Sequence, residues 1–591
     1  LNGSQFEDGA TINVSSGLAT PRHGAHVAPD GSVEFSLWAP AQDSVSVVFA
    51  DGPDLPMVRR TDGWFVAARS CPAGTQYAFK LADGTQVPDP ASRQQADDVH
   101  GFSVVVDPWA YSWTDAGWSG RPWRETVLYE AHAGIMGGFR GIAEKLHDLK
   151  TLGITAIEVM PVNDFPGQHN WGYDGVLPYA PDTAYGTPDD FRALVDAAHA
   201  LDMMVFLDVV YNHFGPDGNY ISLYAPKFFR DDVKTPWGSA IDFRRPEVRS
   251  YFTDNVMMWL SDYHLDGLRF DAVHAIADPT WIDEMAATVR ARFTPGRHIH
   301  LVLENHNEAS HLARNVDAQW NDDLHNVLHV LLTDESEGYY ADYAQEPAAR
   351  LLRCLLEGWA YQGEHSDYLK ANRGTPSAAL PPTAHVMFLQ NHDQTGNRAF
   401  GERLTVLADP KALEAAIALQ MLCPQIPMLF MGEEDGSETP FCFFTDHGPE
   451  LADLVREGRR AEFASFPEFA SAEKREKIPD PNSVDTFLMS VPQPGNPDRR
   501  ALYERLIGLR NQEIVPSLDA TRALGGSVIG PKAVVARWRL GNGRTLTLAC
   551  NLGDRPVAVI GLTGRLIFSS MDAADGTLPA FCTLATLGDP A

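Results

Sequence analysis

A (β/α)8 TIM barrel flanked by an N-terminal β-sandwich and a small C-terminal β domain is the multidomain fold class this sequence predicts, and three observations predict it. Between residues 126 and 512, short apolar runs alternate with stretches of helical periodicity, the rhythm of parallel strands joined by crossover helices. Both flanks lose that rhythm and read as alternating strands between turn signals. At 591 residues the chain is long enough for several domains.

Taken in order, residues 1–20 are polar and Gly/Ser-rich and are expected to form a flexible tail. They lack the basic and apolar regions of a signal peptide. Residues 21–108 read as a β-sandwich. Val33, Phe35 and Leu37 alternate with Glu34 and Ser36, and turns fall at Asp30-Gly31 and Asp83-Gly84. A Trp/Pro-containing linker, 109–125, follows. The barrel strands are expected at Val127–Tyr129, Ile154–Met160, Met204–Val210, Gly267–Phe270, Ile299–Leu303, near 316–320, His385–Leu389 and Ile426–Met431. Thr187-Pro188-Asp189-Asp190 offers a helix N-cap, a proline in the first turn and acids against the dipole. Phe191, Leu194, Val195, Ala198 and Leu201 then keep helical spacing, as do Ile142, Leu146 and Leu149. A doubly wound nucleotide-binding sheet is the competing architecture, but no Gly-x-Gly-x-x-Gly or P-loop follows any strand. Residues 513–591 return to alternating strands, with a hairpin turn at Gly541-Asn542-Gly543.

Composition narrows the partners. A net charge of −31 repels nucleic acid and anionic membrane, so neither is expected, and a neutral or cationic small molecule fits better. Six scattered cysteines form no Cys-x-x-Cys pair or zinc spacing, which predicts free thiols in the cytoplasm. No apolar run reaches the roughly 18 residues of a membrane span. The sequence leaves the oligomeric state open.

In a (β/α)8 barrel the chemistry lies at the C-terminal ends of the strands. There the apolar runs end in Asp208-Val209-Val210-Tyr211-Asn212-His213, in Arg269-Phe270-Asp271, in Glu304-Asn305-His306 and in Gln390-Asn391-His392-Asp393-Gln394. One such acid more often caps a turn than catalyses. Four in series at one rim point to a site. Arg269 and Asp271, two residues apart, project from one face of a strand, and a neighbouring guanidinium favours a charged carboxylate. Carboxylates with histidines but no sulfur ligands suit glycoside hydrolysis or divalent-metal catalysis. His-Glu-x-x-His is absent. Trp171, Tyr173 and Tyr185 near the rim favour sugar, whose apolar ring faces stack on aromatic side chains.

At these residues the chain resembles the α-amylase superfamily of glycoside hydrolases, through Asp208–His213, Gly267–Asp271, Glu304 and Asn391–Asp393 in the family's order. The resemblance covers nearly the whole chain after the tail. It implies a retaining double displacement with Asp271 as nucleophile, Glu304 as general acid and base, and Asp393 stabilising the transition state. It further implies substrate contacts from Tyr173, Asp208, His213, Arg269, His274, Asp322, Asp323, His325, His392, Gln394 and Asn397. Segments 388–404, 319–325, 170–175 and 89–93 resemble most the members that cut the α-1,4 bond next to the terminal trehalose of a maltooligosyl trehalose. A glycogen branching transferase and an α-1,6 debranching enzyme are the alternatives within the superfamily, and an inactive glucan-binding protein the alternative outside catalysis. The segment after strand 1, Ala131 to Phe139, departs from the family pattern. Asn212 matches a calcium ligand of true amylases, but one matched residue does not make a calcium site. No cofactor and no metal are expected.

Overall fold

Eight parallel strands close into a barrel in chain order: Leu128–Ala131, Ala156–Val159, Met204–Val209, Gly267–Phe270, His300–Leu303, Ala318–Trp320, His385–Met387 and Ile426–Phe430, here barrel strands 1 to 8. This computed structural model describes residues 23–590 except 236, 467–468 and 573–575. The tail expected over residues 1–20 lies outside the described residues.

Alternation along the strands makes the interior. Leu128, Ala156, Met204, Phe206, Val302, Trp320, Val386, Phe388, Ile426 and Met428 form one buried apolar cluster inside the barrel. Two residues further along several of these strands the inward positions turn charged: Glu130 after Leu128, Glu158 after Ala156, Asp208 after Phe206. Parallel register sets these next to one another, Glu130 beside Glu158 and Asp208 beside Arg269. The apolar plug thus carries a charged layer at the C-terminal end.

The crossover helices form where caps and periodicity agree. Pro188–Ala200 begins on a capping box: the Asp190 N–H donates to Thr187 Oγ1 (3.1 Å), and the Thr187 N–H donates to Asp190 Oδ2 (2.9 Å). Its buried face holds Phe191, Leu194, Val195 and Ala198. In helix Gly138–Leu152 the buried face holds Ile142, Leu146 and Leu149.

The N-terminal strands make two facing sheets around Val33, Phe35, Leu37, Val47, Phe49, Tyr77 and Phe79. Residues 109–125 close the lower mouth of the barrel. Trp118 and Trp123 pack against the apolar interior, and Trp118 donates to Asp266 (2.7 Å). At the C-terminus, Arg522–Gly530, Ala533–Arg539, Thr545–Asn551, Arg565–Ser569 and Cys582–Gly588 form an antiparallel sheet. The turn between the second and third of these strands is Gly541-Asn542-Gly543, where Gly543 has φ 84°. All six cysteines are free thiols. Among the described residues no helix is long and apolar enough to cross a membrane.

Candidate active site

Arg269, on barrel strand 4, is the centre of the charged layer. It is fully buried and its guanidinium lies 4.0 Å from the Trp320 ring centroid. Nη1 donates to Asp208 Oδ2 (2.5 Å) and Asp271 Oδ1 (2.9 Å), and Nη2 donates to Glu304 Oε2 (2.7 Å). One rigid fork therefore spans carboxylates from strands 3, 4 and 5.

Asp271 follows strand 4 directly and is 12% exposed at its side chain. Its second oxygen accepts from Asn212 Nδ2 (2.8 Å). Asn212 thus orients Asp271, and its Oδ1 meets His213 Nδ1. Both ends of the Asn212 amide are thus hydrogen-bonded. Among the described residues no group of three or more His, Cys, Asp or Glu is placed to hold a metal ion. Ala272 adopts φ 39°, a left-handed conformation unusual for a residue with a Cβ. That turn aims its N–H at Glu304 Oε2 (2.9 Å). Both donors to Glu304 fall on Oε2, and Oε1 takes neither.

Asp208 is buried beneath this pair and accepts from the Tyr173 hydroxyl (2.6 Å). Burial pushes its carboxyl up to about 7, against the pull of Arg269. It braces Arg269 and Tyr173 rather than reaching the cleft. Tyr173 stacks on His392 with centroids 5.0 Å apart. His213 Nε2 donates to the Tyr173 carbonyl (3.0 Å), and its ring stacks on Trp237. Burial lowers the His213 pKa, outweighing Asp271 and Asp174.

Asp393 opens helix His392–Gly396 and is 40% exposed. His392 Nε2 lies 3.5 Å from its Oδ1, and Asn397 Nδ2 donates to the same oxygen (3.2 Å). Asp393, Gln394 and Asn397 line a cleft of about 230 Å³ with His306, Tyr339 and Arg373. His274 joins this wall by stacking on His306, centroids 3.6 Å apart. Burial pushes the Asp322 carboxyl up to about 8, helped by Glu304 and Asp393 and opposed by Arg373.

Like Asp208, two further expected substrate residues are turned away. Asp323 is 0% exposed and accepts from the Tyr343 hydroxyl, Asn307 Nδ2 and the N–H groups of Ala360 and Tyr361, with Arg373 at 3.1 Å. It fixes the loop wall. His325 is buried under strand 7, bonded to the Leu389 carbonyl (2.6 Å). Of the three expected sugar-stacking aromatics only Tyr173 remains. Trp171 packs on Phe441 and donates to the Cys442 carbonyl, and Tyr185 donates to the Asn170 carbonyl. The departing segment after strand 1 is internal structure: His132 is buried against the Asn170 carbonyl (2.7 Å). Sequence reasoning missed Arg373 and Tyr339, which have no periodic signal. It also missed Glu130, whose signal was an acid inside an apolar strand.

The same geometry has relatives. Residues 93–226 match the model of the α-amylase catalytic domain, and 521–585 match a domain of unknown function, DUF3459. A malto-oligosyltrehalose trehalohydrolase from Deinococcus radiodurans is 42% identical over 511 residues, covering 84% of each chain. One from Saccharolobus solfataricus is 39% identical over 497 residues, covering 82% of this chain and 86% of that one. The crystal structure of a protein from Salmonella typhimurium assigned to the α-amylases superposes with a TM-score of 0.92 at 42% identity, covering 97% of this chain and 100% of that one.

Proposed function

The chain belongs to the malto-oligosyltrehalose trehalohydrolase family, and we propose that it hydrolyses the α-1,4-glucosidic bond next to the terminal trehalose of a maltooligosyl trehalose, releasing trehalose. The observation that carries the chemistry is the Arg269 fork, which holds Asp271 and Glu304 on adjacent strands. That adjacency suits a retaining pair, whose carboxyls stand about 5–5.5 Å apart.

Asp271, steadied by Arg269 and Asn212, attacks the anomeric carbon. The glycosidic bond breaks as Glu304 gives its proton to the leaving oxygen, and a covalent glucosyl-enzyme forms. Oε1 is the oxygen that suits this transfer, because both fixed donors occupy Oε2. Glu304 then takes a proton from water, whose oxygen attacks the same carbon and releases Asp271. Asp393 accepts from ring hydroxyls as positive charge develops on the sugar, and Tyr173, His213 and His392 seat that ring. Gln394 and Asn397, with His306 and Arg373, line the cleft beside it, and these residues, His274 and Asp322 are assigned to the trehalose side. The six free thiols support a cytoplasmic location. The proposed domain limits are 21–108, 126–512 and 513–591; helix Pro497–Glu513 runs up to the last of them.

The test compares a maltooligosyl trehalose with a plain maltooligosaccharide of equal length. Trehalose from the first and slow turnover of the second are expected. Rapid release of glucose or maltose from the plain chain, with no trehalose from the other, overturns the assignment. An iodine-staining shift on amylose without new reducing ends would indicate a branching transferase instead.

A further inference from the structure

Glu130 is inward-facing on barrel strand 1, 1% exposed, and takes no part in the steps above. Its carboxylate grips His392 twice across the barrel. Oε1 meets His392 Nδ1 at 2.5 Å, and Oε2 accepts from the His392 backbone N–H at 3.0 Å. The imidazole is buried, stacked on Tyr173 and edge-on to Trp171, so it cannot swing away from this partner. Its other nitrogen, Nε2, lies 3.5 Å from Asp393 Oδ1.

A neutral imidazole carries one N–H. A carboxylate at Nδ1 claims it, which leaves a bare lone pair on Nε2 facing the Asp393 carboxylate. Two acceptors face to face at that distance repel. A proton on both nitrogens satisfies both carboxylates. From this geometry we propose that Glu130 is a positioning residue that fixes His392 with a proton on each ring nitrogen, presenting Nε2–H to Asp393 and to the hydroxyls of the reacting sugar. The proposal deepens the assignment of Asp393 and rests on that reading.

The surrounding charges agree. Burial pulls the His392 pKa down, but Glu130 and Asp393 outweigh burial and Arg269, and it rises to about 9. Burial, Glu130 and Asp208 hold the carboxyl of Glu158, on strand 2, well above the usual range. Asp208 and Arg269 face the same space from strands 3 and 4. His132, beyond strand 1, is pushed down to about 4 by burial, with the His392 charge adding to it. Glu130 is therefore the buried carboxylate that sets the state of His392.

The test is the titration of His392 in Glu130→Gln, followed with 15N-labelled histidine, the His392 signal being the one absent from a His392→Ala variant. A carboxamide has one acceptor for two donors and no charge. The His392 midpoint, near pH 9 in the unmodified enzyme, falls below about pH 7 in the variant, and kcat at pH 8 falls about tenfold or more. Glu130→Asp, which keeps the charge, restores the midpoint. Glu158→Gln leaves it where it is. An unmoved midpoint in Glu130→Gln overturns the proposal, whatever the loss in rate. If that variant does not fold, the unmodified enzyme decides: a neutral His392 ring at pH 7.5 (an ordinary histidine titrates at about 6.5) overturns the proposal. The titration needs no substrate and the rate uses whichever α-glucan the enzyme turns over, so a wrong bond assignment leaves both readouts intact.

Discussion

Arg297 with Asp266 at the lower mouth of the barrel, and Arg269 with Asp208 at the upper mouth, are built from the same parts. Each joins a buried Asp to an arginine, half-buried Arg297 below and fully buried Arg269 above, with histidines and an aromatic ring close by. Below, Asp266 accepts from Trp118 (2.7 Å), His199 Nε2 (2.9 Å), the Val205 N–H (2.9 Å) and Arg297 (3.3 Å). Asp115 takes the other nitrogen of His199, and Trp118 stacks over that ring. Above, a single guanidinium serves three carboxylates, and the side chains of Asp271, Glu304 and Asp393 keep 12%, 19% and 40% of their surface exposed. The lower cluster matches donors to acceptors and is sealed. The upper one has a surplus of acceptors opening on a cleft, which is what sugar hydroxyls can fill. Buried charge alone therefore does not mark a site; unmatched acceptors facing solvent do.

The largest break in this comparison comes from Asp271→Asn. Removing the proposed nucleophile lowers kcat by about 10⁴-fold or more, while thermal melting stays at or above that of the unmodified protein, because like charges are relieved. Asp266→Ala does the reverse. Three side-chain donors and a backbone N–H lose their acceptor, so the protein loses about 3–5 kcal/mol, read by chemical denaturation. The kcat of the folded fraction stays within about twofold. A loss of kcat without a loss of stability would place the lower cluster in the chemistry.

A smaller effect sharpens the contrast through pH. Burial lowers the His199 pKa, but its hydrogen bonds to the Asp115 and Asp266 carboxylates outweigh burial, so it lies above its usual 6.5. The fold therefore favours the charged ring, and that contribution is present below about 6.5 and lost as pH rises through the raised value. Burial raises Asp266, but His199 and Arg297 outweigh it, so its pKa lies below 3.8 and its contribution is lost as pH falls. The lower clamp is strongest between about pH 4 and 6.5. Melting temperature should drop by about 2–4 °C on the alkaline side, and His199→Phe should flatten that drop. An unchanged alkaline slope in the variant would show that His199 does not set it.

The strands and their terminal acids were legible because one rule covers both. Residues i and i+2 share a strand face, so an apolar run that ends in Arg269 and Asp271 reports a plug and a charged layer together. The loop after strand 6 was less legible. Asp322 and Asp323 are neighbours in sequence, but helix Asp322–Thr333 starts there and turns about 100° per residue. One carboxyl therefore lies near Glu304, and the other is tied to Ala360 and Tyr361. Trp171 and Tyr173 diverge likewise in a loop with no period. Arg373, Tyr339 and Tyr343 come from the long excursion between strands 6 and 7, where only tertiary packing sets direction.

In the function proposed above, the charged floor cuts the bond and the cleft wall chooses it. The most direct measurement is the ratio of kcat/KM for a maltooligosyl trehalose to that for a plain maltooligosaccharide, in Asp208→Asn and in Gln394→Ala. Asp208 braces Arg269 and Tyr173 from below, so its variant should lower both values by about 10²-fold and leave the ratio unchanged. Gln394 lines the cleft, so its variant should cut the ratio by about 3–10-fold, the worth of one lost hydrogen bond to a neutral hydroxyl. A ratio that changes with Asp208 and not with Gln394 would contradict the account.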